Sequence, residues 1–207
     1  MNVRESYDSA ARVYAEHLYR ELEGKPLDRH LLNRFTESVK GRGLVVDLGC
    51  GPGHIAKYLS ESGVEVCGID LSPEMIRIAR EMSPGLDFRV GDMMALDIAD
   101  ESLAGIVAFY SIVHFDAQGI DAVFKECSRV LSSAGLILLA FHIGDEVVHA
   151  DDLFGQPVNL DFRFHHPTDV MNTLKSNHLT VIESTEREPY EGAEHQSRRA
   201  YILARRD

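Results

Sequence analysis

The stretch VVDLGCGPG, from Val45 to Gly53, places a glycine at every second position directly after a short apolar run. Glycine loses more backbone freedom on folding than any other residue, so Gly49, Gly51 and Gly53 require a local reason. A glycine-rich loop that leaves a strand and enters a helix lets a ligand approach the backbone closely. The stretch therefore predicts a strand, a loop and a helix arranged around a ligand.

Short apolar runs alternate with amphipathic helices from this loop onward. Hydrophobic spacing and Gly or Pro breaks predict strands at 44–48, 64–69, 86–90, 103–110 and 135–142, and helices at 53–62, 73–82 and 119–131. Strands that alternate with helices are typical of a parallel sheet with helices on both faces. The fold class predicted from this pattern is α/β, with a doubly wound sheet.

The two ends of the chain depart from the alternation. Residues 3–22 and 27–39 are predicted to be helices that precede the core. Residues 180–185 and 199–204 are predicted to be strands with no helix between them, so we expect them to pair antiparallel. Residues 144–164 show no clear period, and we expect a loop or lid there.

Composition limits the classes of partner. The chain has 207 residues and a net charge of −12 with no basic stripe, so no nucleic-acid partner is expected. No apolar run is long enough to span a bilayer and the N-terminus has no apolar signal-peptide region, so no membrane association is expected. The three cysteines share no CxxC spacing, which fits a reducing compartment, and we expect a cytoplasmic protein.

Three aspartates follow three of the predicted strands, at the edge where open α/β sheets bind ligands. Asp47 lies at the end of the first strand, Asp70 at the end of the second, and Asp92 follows the third. His54 stands where a dinucleotide fingerprint has its third glycine, and no GKS or GKT follows the loop. Pro52 also removes one backbone donor from the loop. This pattern favours a cationic, adenine-bearing ligand without phosphates, with Asp70 as the ribose clamp.

These segments resemble the motifs of the class I S-adenosylmethionine-dependent methyltransferases. VVDLGCGPG is similar to the first motif of that family, VCGIDLSPEMI to the second and FRVGDMMAL to the third, in the same order. YDSAARVYAEHL resembles the N-terminal helix of members that act on small molecules. The resemblance implies a Rossmann-like sheet of seven strands, mostly parallel, with an antiparallel last strand. We expect one methyltransferase domain over 1–207, with an N-terminal helical cap at 1–40 and a Rossmann-like core at 41–207.

The resemblance implies S-adenosylmethionine as the cofactor and a role for each strand end. Asp47, Asp70 and Asp92 would bind the ammonium, the ribose hydroxyls and the adenine amino group. The loop glycines would approach the methionine part and the ribose, and apolar side chains would lie against the adenine and the methyl group. The cofactor residues expected in this way are Tyr14, Asp47, Gly49, Gly51, Gly53, Asp70, Leu71, Met75, Asp92, Met93, Phe109 and Tyr110.

Several of these residues also fit a purely structural role. Met75 and Met93 suit ordinary core positions. Tyr14 shares a helix face with Tyr7, so the two rings either close over the ligand or pack the helix onto the sheet. The sequence leaves both interpretations open for these residues.

The acceptor side is less defined. His114 follows the fourth strand and is the candidate catalytic base, although a pocket-lining role is the favoured alternative. His142 ends the fifth strand and is expected to line the acceptor pocket. Arg198 and Arg199 would bind a carboxylate or phosphate of the acceptor, unless they belong to a solvated turn. No HxxxH or HExxH pair occurs, so no metal site is expected.

The sequence thus predicts an enzyme, a methyltransferase that moves a methyl group from S-adenosylmethionine to a small-molecule acceptor and releases S-adenosylhomocysteine. A protein that binds or senses S-adenosylmethionine without turnover is the alternative left open, because methyl transfer needs no obligatory base. An NAD-dependent oxidoreductase is disfavoured by His54 at the third glycine position. The sequence determines neither the acceptor nor the oligomeric state.

Overall fold

The structure, a computed structural model, describes residues 1–192 and 194–207. Two helices precede the first strand, α1 (Val3–Leu18) and α2 (Pro26–Val39), with a 3₁₀ turn at Glu21–Gly24 between them. Asn2 and Glu5 form a capping box at the start of α1, and Pro26 occupies the first position of α2. The helix predicted over 3–22 therefore ends four residues early, and a tighter turn takes its place.

Strands and helices then alternate as the sequence predicts. In chain order the elements are β1 (Val45–Leu48), α3 (His54–Glu61), β2 (Val66–Asp70), α4 (Pro73–Met82), β3 (Asp87–Val90), β4 (Leu103–Phe109), α5 (Ala117–Val130) and β5 (Leu131–His142). Their buried apolar faces explain the alternation. All four side chains of β1 are buried, as expected for a central strand covered on both faces.

Residues that were expected to form a loop or lid without regular structure instead form a hairpin. Its strands are β6 (Val147–Leu153) and β7 (Gln156–Arg163), which pair antiparallel as a separate two-stranded sheet. The sequence prediction failed because β6 exposes nearly every side chain, so it has no apolar alternation. The turn between the strands has positive φ at both Phe154 and Gly155, and a phenylalanine is not a usual residue for that conformation.

The chain ends with α6 (Pro167–Ser176), β8 (Leu179–Arg187) and β9 (Arg199–Arg206). The main sheet has seven strands in the order β3-β2-β1-β4-β5-β9-β8. The first five are parallel to one another, whereas β9 runs antiparallel to both β5 and β8. The predicted fold class and the antiparallel pairing of the last two strands are confirmed. Helix α6 was not predicted.

Helices cover both faces of the sheet. Residues of α5 and α6 pack in one apolar cluster, and residues of α2, α3 and α4 pack in another on the opposite face. The strand order reverses between β1 and β4, so the carboxyl ends of these strands open a crevice at which open α/β sheets bind ligands. Within the described residues, no helix combines the length and apolar character needed to cross a bilayer.

Candidate active site

Two cavities lie at the carboxyl edge of the parallel strands. The larger has a volume of about 690 Å³ and the smaller about 110 Å³. They are neighbours, because both are lined by Tyr7, Tyr14, Gly49, Gly51, Phe109 and Tyr110. The sequence-predicted cofactor residues divide between them, so a single elongated ligand can occupy both.

The smaller cavity is lined by five of the residues predicted to bind the nucleoside, Asp70, Leu71, Met75, Asp92 and Met93. Leu71 is 43% exposed, so its side chain offers a surface on which a flat ring can lie. Met75 is buried and packs with residues of α1 and α4, so it belongs to the core and to the cavity wall at once. The two interpretations of Met75 are therefore compatible.

Asp70 ties the glycine loop to the end of β2. Its Oδ2 accepts a hydrogen bond from the Gly51 amide at 2.8 Å, and its Oδ1 accepts one from the Ser72 amide at 2.9 Å. Burial raises the pKa of Asp70, and these two amide bonds act against that rise. Each carboxylate oxygen keeps a second lone pair, so the group can still accept hydrogen bonds from two ligand hydroxyls.

Asp47 is a buried carboxylate in the wall of the larger cavity. Its side chain accepts a hydrogen bond from the Ala56 amide at 2.9 Å, and the residue is only 2% exposed. Burial raises the pKa of Asp47 to about 7. A cation placed in the cavity would stabilise the ionised form and lower that pKa. This is the electrostatic setting that an ammonium group requires.

The loop glycines have different structural reasons. Gly49 has φ +75°, and a Cβ on it would lie 2.3 Å from the Cβ of Ser111. Gly53 has φ +83°, and its Cβ would lie 2.6 Å from the ring of Phe88, a core residue. Gly53 lines neither cavity. Packing of α3 against the sheet is a sufficient reason for this glycine, and a cofactor contact at Gly53 stays a prediction.

His114 lies between the N-terminal helix and the hairpin. Its Nδ1 donates to the carbonyl oxygen of Asp161 at 2.8 Å, because a carbonyl can only accept, and its Nε2 then accepts from the Tyr7 hydroxyl at 2.8 Å. Burial lowers the pKa of His114, which keeps the ring neutral. His114 lines only the smaller cavity. With both ring nitrogens engaged, the geometry favours the pocket-lining role over that of a base.

Aromatic side chains form the wall of the larger cavity away from the glycine loop. Phe109, Phe154, Phe162 and Phe164 line it together with His142, so the hairpin contributes part of the wall. His142 stacks on Phe164 with ring centroids 4.9 Å apart, and its Nδ1 lies 2.7 Å from the Ser197 hydroxyl. Burial lowers the pKa of His142 to about 3, so the ring is neutral. His142 thus lines this cavity at the end of β5, where the sequence predicts it.

The two arginines of the predicted clamp point to different places. The Arg198 side chain is 53% exposed and pairs with Glu186 at 2.7 Å and Glu188 at 3.2 Å, outside both cavities. Arg199 is buried and lines the larger cavity. The structure therefore does not bring Arg198 to the site, and the solvated-turn alternative describes it.

A polar cluster at the same end of the larger cavity was missed from the sequence, Glu21, Lys25 and Glu194. Lys25 Nζ lies 2.5 Å from Glu21 and 3.6 Å from Glu194. Glu194 lies in the polar stretch before the last strand. The density of polar residues there was the only feature of the sequence that could have indicated a role for Glu194. Lys25 follows a predicted helix break, so nothing local distinguished it from a surface lysine.

Tyr110 connects this polar cluster to the cofactor side. It has φ +54°, uncommon for a residue other than glycine, and its hydroxyl lies 3.1 Å from that of Tyr201. The Tyr201 hydroxyl donates to buried Asp28 at 2.8 Å. Strained backbone is retained where surrounding contacts hold it, and such positions cluster at binding sites. Tyr110 lines both cavities, as expected for a residue beside the transferred methyl group.

Comparisons with known proteins show a likeness to methyltransferases. Residues 45–135 match the family described as a methyltransferase domain. Demethylmenaquinone methyltransferase of Chlorobaculum parvum is 35% identical over 94 residues, 44% of this chain and 37% of that protein. Malonyl-[acyl-carrier protein] O-methyltransferase of Yersinia pestis is 29% identical over 136 residues, 66% of this chain and 46% of that protein. The chain thus matches less than half the length of these curated relatives.

A crystal structure extends the likeness along the whole chain. Magnesium protoporphyrin IX methyltransferase from Synechocystis PCC 6803, solved with bound S-adenosylmethionine, has a TM-score of 0.75 at 16% identity. The alignment covers 99% of this chain and 95% of that one. At this identity the likeness concerns the fold, and the family match covers the strands that carry the three motifs. Residues 45–135 thus match a methyltransferase domain, and the whole chain has the fold of the class I, Rossmann-like S-adenosylmethionine-dependent methyltransferases.

Proposed function

We propose that this protein transfers a methyl group from S-adenosylmethionine to a small molecule bound in the larger cavity. The observation that carries the proposal is the pair of neighbouring cavities at the carboxyl edge of the sheet, which share Gly49, Gly51 and Tyr110. One is lined by the carboxylates expected for a nucleoside, and the other has room for a second molecule. This is the arrangement that transfer between two bound ligands needs.

The residues fit the cofactor. Gly49 has no side chain, and none would fit there, so a ligand can approach its backbone. Asp70 keeps lone pairs that can accept hydrogen bonds from two hydroxyls. Asp47 offers a buried carboxylate to an ammonium group. S-adenosylmethionine, when bound, supplies a methyl group already activated by its sulfonium charge. The chain has to orient the acceptor and exclude water, which the aromatic wall and α1 do.

A small acceptor is supported by the size and cover of the site. The larger cavity of about 690 Å³ falls in the range of small-molecule pockets. Helix α1 and the hairpin pack together above it, since the Ser6 hydroxyl accepts from the Asn159 amide at 3.0 Å. The net charge of −12 opposes a nucleic-acid substrate.

The proposal is tested by binding and by turnover. Calorimetry should give a defined affinity for S-adenosylhomocysteine and none for NAD. Incubation with methyl-labelled S-adenosylmethionine and fractionated small-molecule extracts should then transfer label to an extract component. Binding without transfer to any fraction would contradict the enzyme and support the sensing alternative, for which no observation speaks at present. Failure to bind S-adenosylhomocysteine would contradict both.

A further inference from the structure

The polar end of the larger cavity holds two buried cations. Arg199, the first residue of β9, is 2% exposed, and Lys25, which precedes α2, is 5% exposed. Both line the cavity. Their charged groups lie 5.8 Å and 5.0 Å from the centroid of the Tyr110 ring. Buried cations in a ligand cavity need acceptors for their hydrogen-bond donors.

Arg199 does not find enough acceptors in the protein. Its Nη1 donates to the carbonyl oxygen and the hydroxyl of Ser197. Its Nε lies 3.2 Å from Glu194 Oε2 at an angle that makes no hydrogen bond, so within residues 1–192 and 194–207 this buried donor is unpartnered. This Nε is buried and cannot meet a ligand directly, so the donor left for a ligand oxygen is Nη2, which makes no hydrogen bond within the same residues.

The neighbouring carboxylate of Glu194 already accepts three hydrogen bonds from other residues. Glu194 Oε2 accepts from Arg187 at 3.0 Å, and Glu194 Oε1 accepts from Arg187 and from the Tyr190 amide. Lys25 has three donors, and in the described part of the chain it makes one hydrogen bond, to Glu21. Although Glu21 and Glu194 pair with the two cations, some donors of both Lys25 and Arg199 make no hydrogen bond within the described residues.

The position in the sheet separates Arg199 from the strand end that carries Asp47. Three strand spacings lie between β1, which carries Asp47, and β9, which carries Arg199. At about 4.8 Å for each spacing, this is roughly 14 Å. Arg199 pairs across the sheet with His142, whose ring belongs to the aromatic wall. The spare donors thus face the acceptor end of the cavity.

We propose that Arg199 and Lys25 bind a carboxylate of the methyl acceptor, while its flat apolar body lies against the aromatic wall. This inference rests on the proposed function and names the acceptor class as an aromatic or similarly planar apolar acid. A guanidinium fork and an ammonium beside it match the oxygens of a carboxylate. The wall that includes His142 and Phe164 is aromatic and apolar, which suits a planar apolar body.

The first test compares acids with their neutral amides on the wild-type protein. The probes are indole-3-acetate, 1-naphthoate and cinnamate, each paired with its primary amide, with and without saturating S-adenosylhomocysteine. Calorimetry should show that at least one acid binds about 10- to 100-fold more tightly than its amide, the effect of one or two charge-assisted hydrogen bonds. If no acid binds more tightly than its amide, the inference is wrong.

Variants then locate the effect. Arg199→Gln combined with Glu194→Gln removes one charge of each sign, so the buried cluster stays balanced. This variant should lose the acid preference while its amide affinity changes less than about twofold. Arg198→Gln, at the adjacent exposed arginine, is the matched control and should keep the preference. An equal loss for acid and amide would contradict the inference.

A carboxylate also occurs in the methionine part of the cofactor, and the same variants distinguish the two sources. Acceptor recognition predicts an unchanged affinity for S-adenosylhomocysteine in Arg199→Gln with Glu194→Gln. A drop of 10-fold or more in that affinity alone would assign the cluster to the cofactor and overturn the inference. If the wild-type protein fails to bind S-adenosylhomocysteine, the proposed function fails, and the acid–amide comparison without it still decides the acid preference.

Discussion

Removal of the Asp70 carboxylate should weaken cofactor binding more than any other single change at the nucleoside end. Asp70→Ala deletes the acceptor for two ribose hydroxyls, and a hydrogen bond to a charged group contributes about 1.5–3 kcal/mol. Two such bonds give about 3 kcal/mol or more, which corresponds to a rise in the Kd for S-adenosylhomocysteine of at least about 100-fold. The Gly51 and Ser72 amides also lose their acceptor, so the loop becomes less ordered.

Calorimetry with S-adenosylhomocysteine measures the effect, and urea denaturation checks that the variant is folded. Asp87→Ala is the matched control, because Asp87 is an exposed aspartate at the start of β3 that lines neither cavity. It should change the Kd by less than about twofold. A folded Asp70→Ala protein with a Kd within about threefold of the wild-type value would refute the assignment of Asp70 to the ribose.

Three further predictions concern the loop, a buried acid and the cover of the site. Gly49→Ala should abolish S-adenosylhomocysteine binding in calorimetry and lower stability by about 1–3 kcal/mol, because its Cβ collides with Ser111 at φ +75°. Asp47 has a pKa of about 7 in the folded protein against about 3.9 when unfolded. The free energy of unfolding measured in urea should therefore fall as pH rises from about 4 to 7. Asp47→Asn should remove this pH dependence. Tyr7→Phe breaks the bond to His114 and should speed amide exchange in β7, and unchanged exchange would count against the contact.

The cofactor half of the site could be predicted because its residues are local in the sequence. Asp47, Gly49 and Gly51 lie in the last residues of one strand or directly after it, and Asp70 and Leu71 do so at the next. Parallel strands bring their carboxyl ends to one edge, so sequence order alone places these groups together. Gly53 shows the limit of this reasoning, because a glycine required for packing has the same sequence appearance as one required for a ligand.

Apart from His142 and Arg199, the acceptor half could not be predicted because distant segments build it. Lys25 comes from the chain before α2, Phe162 from a hairpin strand and Glu194 from the turn before β9. No local sequence pattern indicates that these residues come together in the fold. The hairpin itself was missed because β6 packs too few side chains to show alternation, although Val158, Leu160 and Phe162 do alternate in β7.

Because the two halves of the site are built from different segments, substitutions should affect the affinity for S-adenosylhomocysteine and the affinity for the acceptor differently. The nucleoside end is built from strand ends of the sheet and from α1, whereas the acceptor end also depends on the hairpin and the turn before β9. Substitutions in Phe154 or Phe162, which line only the larger cavity, should therefore alter acceptor choice and leave S-adenosylhomocysteine affinity nearly unchanged. Tyr110 differs from them, since it lines both cavities and its hydroxyl contacts Tyr201 and Asp28. Substitution of Tyr110 should change both affinities together, which makes it one of the residues that couple the two halves.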